Sequence, residues 1–259
     1  MNVPTMASYA AEGKQPEILF WVGCAGSFDD RAKKITKAFV KILNDIGVSF
    51  AVLGTEESCT GDPAKRAGNE FLYQMQAMTN IEVLNAYEVK KIVTACPHCF
   101  NTIKNEYPVL GGNYDVLHHT QFLKELLDSG RLKVEGGKFE GQRITFHDPC
   151  YLGRANNEYE APRELLRKLD VELVEMKSCK KRGLCCGAGG AQMFKDAEKG
   201  EKEVNIHRTE EALDVNPDVV AAGCPFCNTM MTDGVKNKEK SDDIKVLDVV
   251  ELLADAKDL

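Results

Sequence analysis

Short apolar runs alternate with longer amphipathic stretches along this chain, and the same order of elements occurs twice. ILFWV at 18–22 reads as a buried strand. Residues 29–46 then place Ala32, Ile35, Phe39, Ile42, Leu43 and Ile46 at helical spacing, and Gly47 closes that helix. VSFAVLG predicts a second strand, followed by the turn ESCTGD. Pro63 suits the first turn of the next helix, with Asp62 as its N-cap, and helical sequence continues to about Ala86. KIVTA at 91–95 predicts a third strand, running into Cys96-Pro97-His98-Cys99 and a further helix. YDVLHH at 114–119 predicts a fourth, with a short helix through Leu127.

The second half repeats this order. RITFH at 143–147 leads into Asp148-Pro149-Cys150, a helix covers 161–168, and VELVEM at 171–176 is a strand. The turn Leu184-Cys185-Cys186-Gly187-Ala188-Gly189-Gly190 follows, with helical sequence running to about Leu213. DVVAAG at 218–223 enters Cys224-Pro225-Phe226-Cys227, and a helix, the strand IKVLDV and a last short helix complete the repeat. Strands alternating with helices at this spacing predict an α/β fold. It should form two pseudo-symmetric lobes, each a mainly parallel sheet flanked by helices. The expected division is a flexible lead-in at 1–16, an N-terminal four-cysteine lobe at 17–130, a linker at 131–141 containing Gly136-Gly137, and a C-terminal lobe at 142–259.

The cysteines follow the repeat. Cys24 and Cys150 stand 126 positions apart, as do Cys59 and Cys185, while Cys96 and Cys224 stand 128 apart. Each lies at a strand end or in the turn after it, where α/β sheets collect their chemistry. The N-terminal lobe offers Cys24, Cys59, Cys96 and Cys99, and the C-terminal lobe offers Cys150, Cys185, Cys186, Cys224 and Cys227. The match breaks where Thr60 stands opposite Cys186. Four thiolates suffice for a cubane [4Fe–4S] cluster or a structural zinc, whereas five exceed what tetrahedral zinc takes. Adjacent Cys185 and Cys186 should diverge toward different irons of one cluster. A dithiol redox pair needs no distant partners, so the matched sets argue against that use of Cys-x-x-Cys.

Other residues carry weaker signals. His98 can bond a cluster sulfur or move protons, or it can be a partly exposed helix-start residue. His147 and Asp148 can order the loop before Cys150 or supply a proton. His118 and His119, on alternating strand positions, should face opposite ways and be structural. Cys179 stands outside both sets; Lys180, Lys181 and Arg182 beside it can lower its pKa and make it a redox-active thiol at the cluster mouth, but a plain loop cysteine is the expected reading, and the trio can equally guide an acidic redox partner. The glycines after Cys186 lack a dinucleotide fingerprint, and there is no Walker sequence.

The net charge of −7 shows no basic stripe for nucleic acid. No apolar run is long enough for direct membrane insertion, and the N-terminus lacks a secretory signal pattern. A cytoplasmic setting follows, with any membrane association peripheral, at the inner face and through a partner; thiols there favour metals over disulfides.

The pattern resembles the CCG-domain, or cysteine-rich domain, iron–sulfur proteins over 17–253. The residues that carry it are Cys150, Cys185-Cys186-Gly187 and Cys224-Pro225-Phe226-Cys227, with HDPCYLGRANNEYEAPRELL and LCCGAGGAQMF especially similar to the soluble part of electron-transfer oxidoreductases. More distant resemblance extends to the catalytic B subunit of heterodisulfide reductase, the lactate-utilisation iron–sulfur protein, the glycerol-3-phosphate dehydrogenase C subunit and a glycolate oxidase subunit. The resemblance implies a [4Fe–4S] cluster on the five C-terminal cysteines, with a non-cubane form open to it. The N-terminal four would hold a cubane cluster, or zinc. It further implies an electron-transfer subunit linking a dehydrogenase or flavoprotein to a quinone-linked membrane partner, and not an independent enzyme. The ferredoxin-like and heme-containing membrane parts of larger relatives would then be separate subunits. A disulfide or thiol reductase acting at the C-terminal cluster, and a zinc-stabilised scaffold, are the alternatives.

Overall fold

The computed structural model describes residues 2–134, 137–196 and 199–259. Glu135 and Gly136 of the expected linker, and residues 197–198 within the stretch expected to be helical up to Leu213, lie outside them.

The N-terminal lobe runs α1 (Met6–Ala11), β1 (Ile18–Trp21), α2 (Gly23–Phe28), α3 (Ala32–Asp45), β2 (Phe50–Ala51), α4 (Asp62–Arg66), α5 (Glu70–Ala86), β3 (Lys91–Thr94), α6 (Pro97–Asn101), β4 (Asp115–His118) and α7 (His119–Asp128). The C-terminal lobe runs β5 (Arg143–His147), α8 (Glu160–Arg167), β6 (Glu172–Val174), α9 (Val204–Leu213), β7 (Val219–Ala222), α10 (Pro225–Asn237), β8 (Lys245–Asp248) and α11 (Val249–Ala256). Both sheets are parallel, with strand orders β2-β1-β3-β4 and β6-β5-β7-β8. The duplicated order predicted from the hydrophobic pattern is therefore the observed topology. In each sheet the chain goes out to one edge and returns past its first strand, so the switch point lies between β1 and β3, and between β5 and β7. Cys24 and Cys96 follow the first pair of strands, Cys150 and Cys224 the second.

One apolar core joins the lobes. Ile18 and Phe20 of β1 and Ile144 and Phe146 of β5 point into it, with Phe39 of α3, Leu123 of α7, Leu165 of α8 and Leu252 of α11. Alternation sends Trp21 to the opposite face of its sheet, among Cys96, Cys99 and Phe100. Arg31 reaches from before α3 to Glu251 of α11 in a bidentate pair at 2.8 and 2.7 Å. These contacts hold the lobes so that their cysteine-bearing edges meet.

Several local expectations change. The lead-in contains α1, whose N-terminus is closed by a reciprocal Thr5–Ser8 capping box, with Met6 buried and its amide bonded to the Val52 carbonyl. Within VSFAVLG the strand β2 is only Phe50 and Ala51, paired with β1, and Val52 bridges Thr5 in parallel. Asp62 does not cap its helix: Gly61 precedes it in a left-handed conformation, and the Asp62 carboxylate turns to Arg66 and His98. Between the Cys185-Cys186 turn and Leu213, α-helix occurs among the described residues only at Val204–Leu213, with a single 3-10 turn at Gln192–Phe194. Among the described residues no helix is long and apolar enough to cross a membrane.

Candidate metal centres at the facing edges of two lobes

In the N-terminal lobe, buried polar groups build the loops that carry the cysteines. Glu57 accepts hydrogen bonds from the amides of Val22 (3.0 Å) and Gly23 (2.6 Å), fixing the turn into Cys24. Burial pushes Glu57 up to about 7 against those two bonds. Gly23 has φ +77°, and a Cβ there would stand 3.4 Å from Cys99 Sγ, so glycine meets both the backbone angle and the close approach of a ligand candidate. The Cys59 loop hangs on Asn80 of α5, which donates to the Cys59 carbonyl at 2.9 Å, while the Tyr107 hydroxyl donates to the Thr60 carbonyl at 3.1 Å. Cys96 sits at the N-cap of α6 and Cys99 inside it.

The four thiols converge. Cys59 is lowered by its hydrogen bond with Cys24, and Cys24 is raised by the same contact. Cys96 is lowered by its bond with Cys99, whose own pKa is raised by Cys96, by burial and by the charges of Cys24 and Cys59. In each close pair one thiol is lowered and the other raised, because neighbouring thiolates repel one another where no cation lies among them. Thr60, buried, places its hydroxyl 3.9 Å from Cys99 Sγ, where the other lobe has a fifth thiol.

The C-terminal site gathers all five cysteines. Cys185 is lowered by hydrogen bonds with Cys150 and Cys186, and Cys150 is raised in return. Cys186 is raised first by Cys185 and Cys227 first by Cys186, and the Cys227 amide lies 3.5 Å from Cys224 Sγ. Neighbouring Cys185 and Cys186 thus both belong to this one group of thiols. The turn allows this: Gly187, at φ +93°, brings its amide to 3.3 Å from Cys185 Sγ. Asp148 orders the approach, as the sequence allowed. Its carboxylate takes Arg163 at 2.7 and 2.9 Å and the Lys180 amide at 2.7 Å, tying β5 and α8 to the segment that leads into Cys185.

His147 ends β5, fully buried. Its Nδ1 accepts from Arg208 Nε at 3.0 Å, while its Nε2 has no partner. Burial, and then the Arg208 charge, push the ring down to about 3. Ligand atoms of His147, Cys186 and Cys227 lie within 4.8 Å of one another. The donor set fits a thiolate-bound cluster at each edge: convergent soft ligands, helix N-termini behind Cys96 and Cys224, and a buried imidazole beside the sulfurs with one ring nitrogen unpaired. A fifth thiol is left over at the C-terminal site if its occupant is a single tetrahedral zinc.

The sites adjoin. His98 is 8% exposed, not a partly exposed helix start, and packs on Tyr151 (ring centroids 4.5 Å apart) and Phe226 (5.5 Å) from the other lobe. Burial opposes its charge, but the Asp62 bond at 2.9 Å and thiolates of both lobes, Cys96 and Cys224, raise it to about 9. His118 and His119 do not diverge. The strand ends at His118 and α7 begins at His119, so alternation stops between them; the two rings touch at 3.2 Å, and His119 Nε2 meets Asp248 of the other lobe at 2.8 Å. Cys179 joins neither set, and its pKa is raised, by burial and Glu175, against the pull of Lys180 and Arg163. The Asp62–Arg66–Glu106 network, Trp21 and Arg208 carried no motif in the sequence.

The profile of the cysteine-rich domain, CCG, matches residues 18–104 and 144–232. Among curated proteins, the chain is 50% identical over 98% of its length to the probable iron-sulfur-binding oxidoreductase FadF of Bacillus subtilis, covering 36% of that protein. It is 46% identical over 93% of its length to the EtfAB:quinone oxidoreductase of Syntrophomonas wolfei, covering 34%. It is 35% identical over 93% of its length to one polypeptide of the dihydromethanophenazine:CoB–CoM heterodisulfide reductase of Methanosarcina barkeri, covering 59% of that polypeptide. The chain thus spans about a third of the length of the first two relatives. Among solved structures, glutamate racemase RacE1 of Bacillus anthracis aligns over 93% of the chain and 79% of its own at 13% identity, with a TM-score of 0.39, too weak a likeness to bear on function.

Proposed function

The chain belongs to the CCG cysteine-rich domain family, and from that premise we propose that it is an iron–sulfur electron-transfer part of an oxidoreductase. Cys150, Cys185, Cys186, Cys224 and Cys227 would hold a four-iron cluster, and Cys24, Cys59, Cys96 and Cys99 a cubane one. When bound, each cluster supplies one-electron storage. The chain's residues contribute ligation, burial and hydrogen bonds that set potential.

The observation that carries this reading is the meeting of the two cysteine edges at His98 and Phe226. Two sites sharing a lining residue give an electron a short route between lobes. No counterpart of a flavin, nicotinamide or substrate motif stands in the sequence. The relative named EtfAB:quinone oxidoreductase supports a flavoprotein as donor and a quinone-linked partner as acceptor. Mixing the anaerobically loaded chain with a reduced electron-transferring flavoprotein tests it: cluster absorption should bleach in a single-electron phase. No bleaching, with both sites loaded, would contradict the assignment.

A second reading has one observation behind it. The C-terminal site holds five converging thiols, and a relative is named as part of a heterodisulfide reductase. A disulfide reductase site there should change its paramagnetic spectrum when a small thiol or disulfide is added to the oxidised protein; an unchanged spectrum with no turnover would eliminate it.

A further inference from the structure

The last residues of β1 and β5 occupy the same place in the two halves. Trp21 and His147 stand 126 positions apart, the offset that relates Cys24 to Cys150. Both are fully buried and both point to the cysteine side of their sheets, while their neighbours Phe20 and Phe146 point into the core between the lobes. Each carries a ring nitrogen with no partner, Trp21 Nε1 and His147 Nε2. An unpaired buried N–H costs about 1–3 kcal/mol, and two at equivalent positions ask for a common explanation.

The tautomer of His147 follows from its other nitrogen. Arg208 Nε can only donate, so Nδ1, at 3.0 Å, presents a lone pair. A neutral imidazole with Nδ1 accepting carries its proton on Nε2, and the ring stands beside the C-terminal thiols, one of its nitrogens within 4.8 Å of the sulfurs of Cys186 and Cys227. Arg208 is itself anchored by the Ser178 carbonyl at 2.8 Å and by Glu211. The ring can therefore neither flip nor offer a lone pair to iron without losing the Arg208 bond. Indole Nε1–H is a donor in every state, and Trp21 lies in the same buried cluster as Cys96 and Cys99.

We propose that His147 Nε2–H and Trp21 Nε1–H are matched hydrogen-bond donors, each to a sulfur of the group bound at its own cysteine site. The proposal rests on the reading of both sites as iron–sulfur sites. A donor at cluster sulfur stabilises the more negative, reduced state and raises its potential. These two residues are positioning groups; neither ligates iron.

The test uses the full chain, loaded anaerobically, exchanged into D2O and reduced, with deuterium and nitrogen couplings read by pulsed EPR. Wild-type protein labelled with ¹⁵N-histidine should show a weak coupling to the C-terminal cluster and an exchangeable deuteron beside it. His147→Leu should lose both and move that cluster's midpoint potential to a more negative value, leaving the N-terminal cluster unchanged. Trp21→Phe should remove an exchangeable deuteron beside the N-terminal cluster and move the midpoint potential of that cluster alone to a more negative value. Couplings and potentials unchanged in both variants would overturn the donors while leaving the iron–sulfur reading intact. A strong nitrogen coupling would overturn them differently, by making His147 a ligand. If His147→Leu does not fold, the labelled wild-type spectrum decides: no histidine coupling overturns that donor. Wild-type protein that retains neither iron nor sulfide would overturn the iron–sulfur reading itself, and this proposal with it.

Discussion

His98 and Phe226 hold the same position in the two Cys-Pro-x-Cys turns, and they meet edge to face across the lobe boundary with ring centroids 5.5 Å apart. The contact is a product of the duplication: two equivalent helix starts are brought together by the shared core and stop at each other. It makes one lining from two sites. With both sites loaded and reduced, the paramagnetic centres should broaden one another's EPR signals. Non-interacting signals in fully reduced protein would place the clusters elsewhere.

The asymmetry at Thr60 and Cys186 has its own test. Cys186→Thr gives the C-terminal site the complement of its partner lobe, and Thr60 shows that a threonine is accommodated at the equivalent place. The variant should still bind four irons on Cys150, Cys185, Cys224 and Cys227, with the spectrum of an ordinary cubane cluster. Retention of the wild-type spectrum would show that Cys186 is not a ligand.

Arg163 is fully buried between Asp148 and Glu175. Its removal leaves the buried Asp148 carboxylate without its cation, a loss of about 3–5 kcal/mol. Arg163→Ala should lower the urea midpoint accordingly and load the C-terminal site poorly, since the Lys180 segment loses its anchor. The N-terminal site should load normally, and iron content per lobe checks this.

Phe39 belongs to the core shared by the lobes and packs edge to face on Phe20 at 4.9 Å. Phe39→Ala should cost about 3–5 kcal/mol in chemical denaturation. Because one core serves both lobes, they should unfold in one transition. Two separated transitions in the wild-type apo-protein would contradict that.

His118 gives a pH dependence. Burial, then the neighbouring His119, hold its pKa well below 6.5, against smaller opposite contributions from the Ala95 and Gly223 backbone. The unfolded chain therefore binds a proton that the native ring refuses. The stabilisation is complete above about pH 6.5 and is lost as pH falls below it. The urea midpoint of apo-protein should drop between pH 7.5 and 5.5, and His118→Gln should flatten that slope. An equal slope in the variant would remove His118 as the cause.

Much of this was legible in the chain itself. Apolar runs of four or five residues marked β1, β3, β5 and β7 because parallel strands are buried on both faces. The cysteine offsets then located both sites, since strand ends fix where the following residues go. What stayed hidden depends on contacts between distant residues. Asp62 looked like a cap because its partner His98 lies 36 residues on. His118 and His119 looked divergent because the boundary between β4 and α7 falls between them. Trp21 looked like a core residue, and only its unpaired ring nitrogen, on a residue buried in the same cluster as Cys96 and Cys99, distinguishes it. The basic trio after Cys179 suggested a lowered thiol pKa, but burial and Glu175 win over charges that point into solvent.

The central claim is that nine cysteines hold two four-iron clusters. Its most direct test is iron and acid-labile sulfide per chain after anaerobic purification, with Mössbauer spectra of the same sample. Iron and sulfide should be present in equal amounts, about eight of each per chain, in two spectrally distinct sites. Zinc in the N-terminal lobe would halve the iron and remove that site from the electron route. Neither iron nor sulfide on a folded chain would contradict the account outright.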